Sequence, residues 1–413
     1  MLERGHHSPV VRRPPPVEVP RDSIPRSRPG LRPASTFAAV AGLAAFATLV
    51  GAARPSTAGK PPSAVALTSA EECGQCHVDI ARYWKASRHA QAADNPRFQA
   101  LLARLKESGV VDPPCARCHA PAAVYMQDAL WEKKTSWEGV TCDFCHSVRS
   151  ISSDPKRPFV LEVGRVKTGP LRNANPTIHG AAFSEVYTSS TLCAPCHQYV
   201  NDRHFEVLTT FSEWQASAYP AKNVTCQSCH MRSVSGKVVD PKVARTAATS
   251  VNVHEMPGGH SLQELNRALQ AQISALRRGD TAEVTVQLVN RGAGHRLPTG
   301  SPLRAIVMVV EATGSVGQTQ TAMKTYARVV VDEKGKELND EGTVWMQGGR
   351  VVRDDRIAPG EQRVEKFTFK LPRSTPAHAA ARFYYRYAPD ASLRGEPGVP
   401  FLTINTWLPP ERP

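Results

Sequence analysis

Cysteine is missing from most of this 413-residue chain, because all ten cysteines lie between positions 73 and 229. Each belongs to the pattern C-x-x-C-H, which occurs five times, as Cys73-Gly-Gln-Cys76-His77, Cys115-Ala-Arg-Cys118-His119, Cys142-Asp-Phe-Cys145-His146, Cys193-Ala-Pro-Cys196-His197 and Cys226-Gln-Ser-Cys229-His230. Zinc ribbons do not require a histidine after every cysteine pair, and disulfides or redox dithiols would be expected to leave a cysteine outside the pattern. The distribution therefore argues against zinc and disulfide interpretations.

The pattern C-x-x-C-H is the attachment signature of c-type haem. Two thiols three positions apart can each bond to one of the two vinyl groups of a single porphyrin. The histidine directly after the second thiol is then held under the iron as an axial ligand. The sequence therefore predicts five covalently attached haem c groups. Their first iron ligands are the pattern histidines His77, His119, His146, His197 and His230.

Charge is absent from residues 36–53, which are mostly Ala, Val, Leu, Phe and Gly. Residues 1–34 before them carry seven arginines and three acids, and small residues follow. This order predicts an export signal in residues 1–58. An uncleaved membrane anchor is the alternative, because the run is near the lower length limit for a spanning helix. Bacteria attach haem c outside the cytoplasmic membrane, so we expect a periplasmic, membrane-anchored or outer-surface protein.

Acidic residues are fewer than basic ones, and the formal net charge is +14. Such an excess can indicate a nucleic-acid partner. Each ferric haem with its two propionates brings about −1, so five haems remove roughly five charges. We expect the arginines and lysines to neutralise propionates, and we expect no nucleic-acid partner.

Regular repeats are also lacking, because the five patterns start at irregular intervals. Residues 59–265 are predicted as a five-haem domain that is mostly helical or irregular, since porphyrins can supply much of its apolar core. Helices are expected at residues 82–89 and 95–106, the second capped by Asn95 with Pro96 at its first position. Thr210-Phe-Ser-Glu213 predicts a capping box at the start of another helix.

Residues 266–413 are predicted as strands separated by turn signals. Val284, Val286 and Leu288 alternate with polar residues, and residues 304–311 are almost continuously apolar. The fold class is therefore α + β, with the haem domain followed by an antiparallel β-sandwich of immunoglobulin-like type. The sandwich contains no catalytic motif, which favours a structural or docking role.

Several longer motifs resemble those of the multihaem cytochromes related to cytochrome c-554 and, more distantly, to hydroxylamine oxidoreductase. They are Trp84-Lys-Ala-Ser-Arg-His89-Ala, Gly139-Val-Thr-Cys142-Asp-Phe-Cys-His146, Thr210-Phe-Ser-Glu-Trp214 followed by Cys226-Gln-Ser-Cys-His-Met231, and His254-Glu-Met-Pro-Gly-Gly-His260. Gly294-His295-Arg-Leu-Pro298-Thr-Gly300 is similar to a loop of a β-domain that follows some of these cytochromes. The resemblance covers about residues 70–300 and implies bis-histidine haems packed edge to edge as an electron path. Met256 stands where the family usually has an aromatic residue, and no C-x-x-C-K motif is present.

The second axial ligand of each iron decides its chemistry, because a second histidine closes the iron and an open position admits a substrate. Nine histidines lie outside the five patterns, two of them (His6 and His7) in the export segment. The predicted second ligands are His89, His179, His254, His260 and His295. His204 and His378 are weaker alternatives, and Met126, Met231 and Met256 are interpreted as packing residues.

His295 is a special case, because it follows the predicted strand that ends near Val289 and lies in a loop rich in glycine. Glycines allow close approach of the backbone to a bulky group, and loop tips often present functional residues. We therefore expect His295 to ligate a haem from the β-domain side. The alternative is a turn that carries a surface imidazole.

The most direct interpretation is an exported cytochrome that moves electrons along bis-histidine haems. Its redox partners would be a membrane quinol oxidoreductase, a terminal reductase or other cytochromes. One alternative is a reductase or oxidase of a small nitrogen or sulfur compound with one five-coordinate haem. Another is a subunit of a multimeric cytochrome assembly that uses the β-domain as its contact surface. No catalytic residue is predicted.

Overall fold

The computed structural model describes residues 66–110, 114–314, 317–373, 376–388 and 397–410, so the predicted export segment lies outside the described residues. These described residues form one compact unit. None of the helices in the described ranges is long and apolar enough to cross a membrane.

Short helices dominate the cysteine-bearing segment. The helices of the described residues are α1 (Ala70–Cys76), α2 (Val78–Ala86), α3 (Pro96–Glu107), α4 (Ala116–His119), α5 (Pro121–Tyr125), α6 (Cys142–Cys145), α7 (Ala194–His197), α8 (Thr210–Gln215), α9 (Cys226–His230), α10 (Leu262–Ala268) and α11 (Glu341–Gln347). Short 3-10 helices span Lys134–Trp137, Glu185–Thr188, Ser190–Leu192 and Pro220–Lys222.

Eight short strands pair two by two between the helices of this segment. They are β1 (Val148–Ile151), β2 (Phe159–Leu161), β3 (Val166–Gly169), β4 (Gly180–Phe183), β5 (Tyr199–Val200), β6 (Glu206–Leu208), β7 (Ser233–Ser235) and β8 (Ser250–Asn252). The β3–β4 pair is parallel and the other three are antiparallel. Little regular sheet supports this segment, as the sequence predicts.

Two antiparallel sheets follow and pack on one another. Their strands are β9 (Leu269–Arg278), β10 (Thr281–Asn290), β11 (Ala305–Gly314), β12 (Thr319–Val331), β13 (Arg350–Asp354), β14 (Gln362–Lys370), β15 (Ala377–Arg386) and β16 (Val399–Leu408). The sheet orders are β14-β10-β9 and β13-β12-β11-β15-β16. Val284 and Val286 of one sheet share a buried core with Met308 and Phe383 of the other. The antiparallel sandwich is therefore present, whereas its immunoglobulin-like type stays a prediction.

Local predictions differ from the structure at several boundaries. The first predicted helix lies earlier, at α2, and leaves His89 in the connection that follows it. Asn95 does cap α3, because its side chain accepts hydrogen bonds from the N–H groups of residues 97 and 98. The capping box at Thr210 is wrong: Thr209 is the N-cap, and its hydroxyl donates to Glu213 instead of capping the backbone. The predicted domain boundary at 265/266 falls inside α10 and stays a prediction.

Candidate haem sites

Each C-x-x-C-H pattern lies on a short helical turn, at α1, α4, α6, α7 and α9. Residues three apart on a helix lie on the same face, so the two thiols of each pattern point to one side. The pattern histidine stays in register with its turn; for example, the N–H of His146 donates to the carbonyl of Cys142 at 2.9 Å. All ten thiols are free of disulfides and partly buried. Each turn can therefore present two thiols and one imidazole to a single porphyrin.

Four of the five pattern histidines lie near a second histidine from a distant part of the chain. The centroids of the two imidazole rings are 6.1 Å apart for His77 and His179, 6.2 Å for His89 and His197, 6.4 Å for His146 and His254, and 6.3 Å for His230 and His295. Four nearly equal distances, made by four unrelated segments, indicate a common geometric requirement.

A single metal ion between two imidazoles meets this requirement. A metal–imidazole bond is about 2.0 Å long, as at zinc, and the ring centroid lies about 1.1 Å beyond the bound nitrogen. Two imidazoles on opposite sides of one metal ion therefore have their centroids about 6.2 Å apart. Direct stacking brings rings closer, as Phe98 and His119 show with centroids 4.7 Å apart. The side chains present therefore fit bis-histidine iron.

The other ring nitrogen of most of these histidines is occupied by a backbone carbonyl. The Nδ1 atoms of His77, His146 and His230 lie 2.6–2.7 Å from the carbonyls of residues 238, 168 and 257. His179, His254 and His295 have equivalent Nδ1 contacts to carbonyls of neighbouring residues. A hydrogen on Nδ1 leaves Nε2 unprotonated, which is the form that binds a metal.

Burial favours the same neutral state. Burial lowers the pKa of His89 to about 4, of His254 to about 4 and of His197 to about 3. Nearby histidines make a smaller contribution to these lowered values. These rings are therefore neutral at neutral pH, and each keeps one ring nitrogen without a proton, as an axial ligand must.

His119 differs from the other four pattern histidines. Its Nδ1 lies 3.1 Å from the carbonyl of Ala92, and burial lowers its pKa. Its ring stacks on Phe98, and among the described residues it has no ring contact with a second histidine. An iron bound by His119 would therefore lack the paired geometry that the other four pattern histidines offer.

The remaining histidines occupy different settings. His260 is not in a pair: its Nε2 is buried without a hydrogen-bond partner, and burial, Arg88 and Arg304 lower its pKa. His204 lies exposed in a turn with φ of 57°. His378 packs on Trp407 in the sandwich, with ring centroids 5.1 Å apart.

Thiols of different patterns contact one another. The Cys73 thiol raises the pKa of Cys142, the Cys118 thiol raises that of Cys196, and the Cys226 thiol raises that of Cys193. Burial acts in the same direction in all three. The contacts bring together the first and third patterns, the second and fourth, and the fourth and fifth.

His295 reaches His230 from the loop that joins β10 to β11 in the sandwich. A Cβ at Gly294 would lie 3.1 Å from the Trp214 ring, so this loop packs closely on α8. Glu213 of α8 accepts a hydrogen bond from the N–H of Arg296 at 3.1 Å and from the hydroxyl of Thr299 at 3.0 Å. In the sequence, Glu213 belongs to a family motif and to the expected capping box, and neither pattern predicts its contact with the His295 loop.

Comparison with known proteins agrees with these features. Residues 72–147 match the family described as "Cytochrome c554 and c-prime". The fold is similar to that of a penta-heme cytochrome c552 from Thermochromatium tepidum, with a TM-score of 0.65 and 20% identity over 83% of this chain and 99% of the other. The family match over residues 72–147 and the shared fold over most of the chain therefore make this protein similar to multihaem c-type cytochromes.

Other structural matches are weak. AvmM, described as catalysing macrocyclization in alchivemycin A biosynthesis, has a TM-score of 0.21 and 16% identity over 36% of this chain and 92% of its own. The putative ApaA protein from Bordetella pertussis has a TM-score of 0.17 and 14% identity over 33% of this chain and 89% of its own. Neither carries an argument about this chain. No curated protein matches it.

Proposed function

We propose that this chain is an exported pentahaem cytochrome that transfers electrons between redox proteins, with four of its haems ligated by two histidines each. The observation that carries the proposal is the set of four histidine pairs with centroids 6.1–6.4 Å apart. A second imidazole closes an iron to substrates and suits it to electron transfer. When bound, each haem supplies a one-electron iron couple.

The residues of the chain have defined tasks in this proposal. The ten pattern cysteines anchor five porphyrins, and the axial pairs are His77 with His179, His197 with His89, His146 with His254, and His230 with His295. Carbonyls at Nδ1 fix the tautomer and the direction of six of these eight rings. Fixed rings keep the ligand set unchanged when an electron arrives or leaves.

The thiol contacts support a connected electron path. A thioether bond places each cysteine sulfur at the edge of its porphyrin, so neighbouring sulfurs imply neighbouring porphyrin edges. Contacts between Cys73 and Cys142, Cys118 and Cys196, and Cys193 and Cys226 therefore favour close approach of haems one and three, two and four, and four and five. Cys145 also lies near Cys193 and Cys196 electrostatically, which favours a link between the third and fourth haems.

The basic excess fits the propionates better than it fits a nucleic acid. The partnerless Nε2 of His260 lies in the electrostatic neighbourhood of Arg88 and Arg304. These are the donors that a propionate accepts from. We therefore assign His260 to propionate binding in place of the axial role that the sequence suggested.

Export and partners complete the proposal. The uncharged residues 36–53 after an arginine-rich start support export to the periplasm, by a cleaved signal or an anchor. The partners would be a quinol-oxidising membrane complex, a terminal reductase or other cytochromes, because a protein of closed haems needs a donor and an acceptor. A multimeric cytochrome assembly is a further form that these partners could take.

The test is a count of haems and of their spin states in the purified, oxidised protein. Mass spectrometry of denatured protein should give five haems, and electron paramagnetic resonance should give four low-spin irons. A full haem count with fewer than four low-spin irons would contradict the axial pairs. A count below five, in protein matured with sufficient haem, would contradict the attachment reading.

A second function is favoured by one observation, the unpaired His119. We propose that its haem is five-coordinate and can bind a small nitrogen or sulfur compound, which would make the protein a reductase or oxidase. Phe98 and the backbone carbonyl of Ala92 hold the His119 ring, so the coordination site on the opposite face of the iron would be the one open to ligands.

Nitrite, hydroxylamine and cyanide test this second function. Each should shift one high-spin signal, equal to one haem in five, and leave the four low-spin signals unchanged. Turnover of one compound with an electron donor would establish catalysis. A protein with five low-spin haems that none of the three compounds alters would exclude it and leave electron transfer alone.

A further inference from the structure

A buried carboxylate joins the haem segment to the loop that carries His295. The side chain of Glu213 is only 8% exposed, yet it has four polar partners. Its Oε2 accepts from the N–H of Arg296 and the hydroxyl of Thr299, and its Oε1 accepts from the hydroxyl of Thr209 at 2.7 Å. The fourth partner is the guanidinium of Arg356, 2.7 Å from Oε1.

Arg356 is itself buried and oriented. Its side chain is 6% exposed and binds Asp354 through Nε at 2.9 Å and through its second terminal nitrogen at 2.8 Å. Burial opposes the charge of Arg356, but Asp354 and Glu213 outweigh it and raise its pKa. The arginine therefore stays charged and holds the carboxylate in one direction.

The partners of Glu213 flank the histidine directly. Arg296 is the next residue after His295, and Thr299 lies four positions beyond it. Thr299 also shares a hydroxyl contact of 2.9 Å with Thr210 at the start of α8. The other side of the loop is held by Asn290, whose side chain donates to the carbonyl of His295 at 2.9 Å.

We infer that Glu213, held by Arg356, is a positioning residue that sets the loop so that the imidazole of His295 reaches the iron that His230 would bind. The inference rests on the proposed pair of His230 and His295. A one-residue displacement of this loop would move an imidazole away from an iron, since a metal–imidazole bond of about 2.0 Å tolerates little error. The carboxylate of Glu213 does not bind the iron itself, but it fixes the position of the His295 imidazole, which does.

The test compares Glu213→Ala with His295→Ala in the full chain. Both variants should gain one high-spin haem in five, and cyanide should bind that haem. The double variant should show the same single additional high-spin haem, because both changes act on one ligand. Glu213→Gln retains a carbonyl acceptor for the loop and should restore part of the low-spin signal.

Asn201→Ala is the matched control for a purely structural role. Asn201 is buried and donates to the carbonyl of Gly348 at 2.9 Å, so it joins the same two segments at another place. Among the described residues, its side-chain hydrogen bonds go to Trp345, Gly348, Arg203 and Phe205, and none goes to the His295 loop. This variant should lose stability and keep the spin states of the parent protein.

Each outcome separates the two claims. If His295→Ala gains a high-spin haem and Glu213→Ala keeps the parent spectrum, the positioning role is wrong and the axial pair stands. If His295→Ala leaves the spectrum unchanged, the axial pair itself is wrong. If Glu213→Ala does not fold, Thr299→Val replaces it, and this variant should let cyanide capture one more haem than in the parent; an unchanged cyanide stoichiometry would overturn the inference.

Discussion

Replacing His89 by alanine should open one iron, whereas replacing His260 by alanine should open none. Both histidines belong to motifs that predict ligands, but only His89 lies at iron-bridging distance from a pattern histidine, with its ring centroid 6.2 Å from that of His197. His260 has an unpaired Nε2 beside arginines. The two substitutions therefore remove the same type of side chain from two different environments.

The expected magnitude follows from the count of pairs. With His119 unpaired, the parent protein should have one high-spin haem in five, and His89→Ala should have two in five. His260→Ala should keep one in five and should shift the midpoint potential of a neighbouring haem, because a propionate charge loses a donor. Loss of a buried side chain of this size costs about 2–5 kcal/mol of stability, so the haem count of each variant must be checked by mass first.

Electron paramagnetic resonance of the oxidised variants, with spin quantification against the haem concentration, is the assay. The reasoning is refuted if His89→Ala retains the spectrum and potentials of the parent with five haems bound. It is equally refuted if His260→Ala gains a high-spin haem, because His260 would then be an axial ligand as the motif suggested.

Three further predictions concern other sites. Cys142→Ala combined with Cys145→Ala should reduce the covalently bound haems from five to four, which mass spectrometry of denatured protein measures; an unchanged mass increment would exclude attachment there. Lys167→Met should lower the free energy of unfolding by about 3 kcal/mol in chemical denaturation, the lower end of the range for a broken buried ion pair. The Asp143 carboxylate is fully buried and lies 2.5 Å from Lys167, but it would keep two neutral hydrogen-bond donors. A loss below about 1 kcal/mol would show that the ion pair contributes little. Burial opposes the charge of Asp354, but Arg356 outweighs this effect and lowers the pKa of the Asp354 carboxyl. The stabilisation by Asp354 is therefore present above about pH 4 and is lost as the pH falls further. Asp354→Asn should make the stability less dependent on pH in this acid range, and parallel stability–pH curves for the variant and the parent protein would contradict this.

Much of the haem segment could be predicted from the sequence because its chemistry is local. Attachment needs two thiols and an imidazole within five residues, and one helical turn supplies that geometry at every pattern. The strands of the sandwich could also be predicted, because Val284, Val286 and Leu288 alternate with polar residues and are buried in the core, as their spacing predicts.

The four histidine pairs could not be derived in the same way, because each joins segments that are distant along the chain. Nothing in the residues around His179 or His254 encodes which pattern histidine each will meet. His260 illustrates the consequence, since its motif favours a ligand while the fold places its ring beside Arg88 and Arg304. Glu213 was visible as part of a motif, yet its role depends on Arg356, which no local pattern connects to it.

The proposed axial pair of His230 and His295 would change the interpretation of the sandwich. The sequence of the β-domain contains no catalytic motif and favours a docking role. In the structure, hydrogen bonds join this domain to the haem segment at Asn201, at Glu213 and at Arg328, which donates to the carbonyl of Val207. If His295 ligates the iron of the haem that Cys226 and Cys229 attach, an iron–imidazole bond adds to these contacts and fixes that haem where the two segments meet. A redox partner that approaches this haem would contact the sandwich as well. Ligand supply and docking are therefore compatible roles of one domain, and the spin state of its haem reports whether the domain is in place.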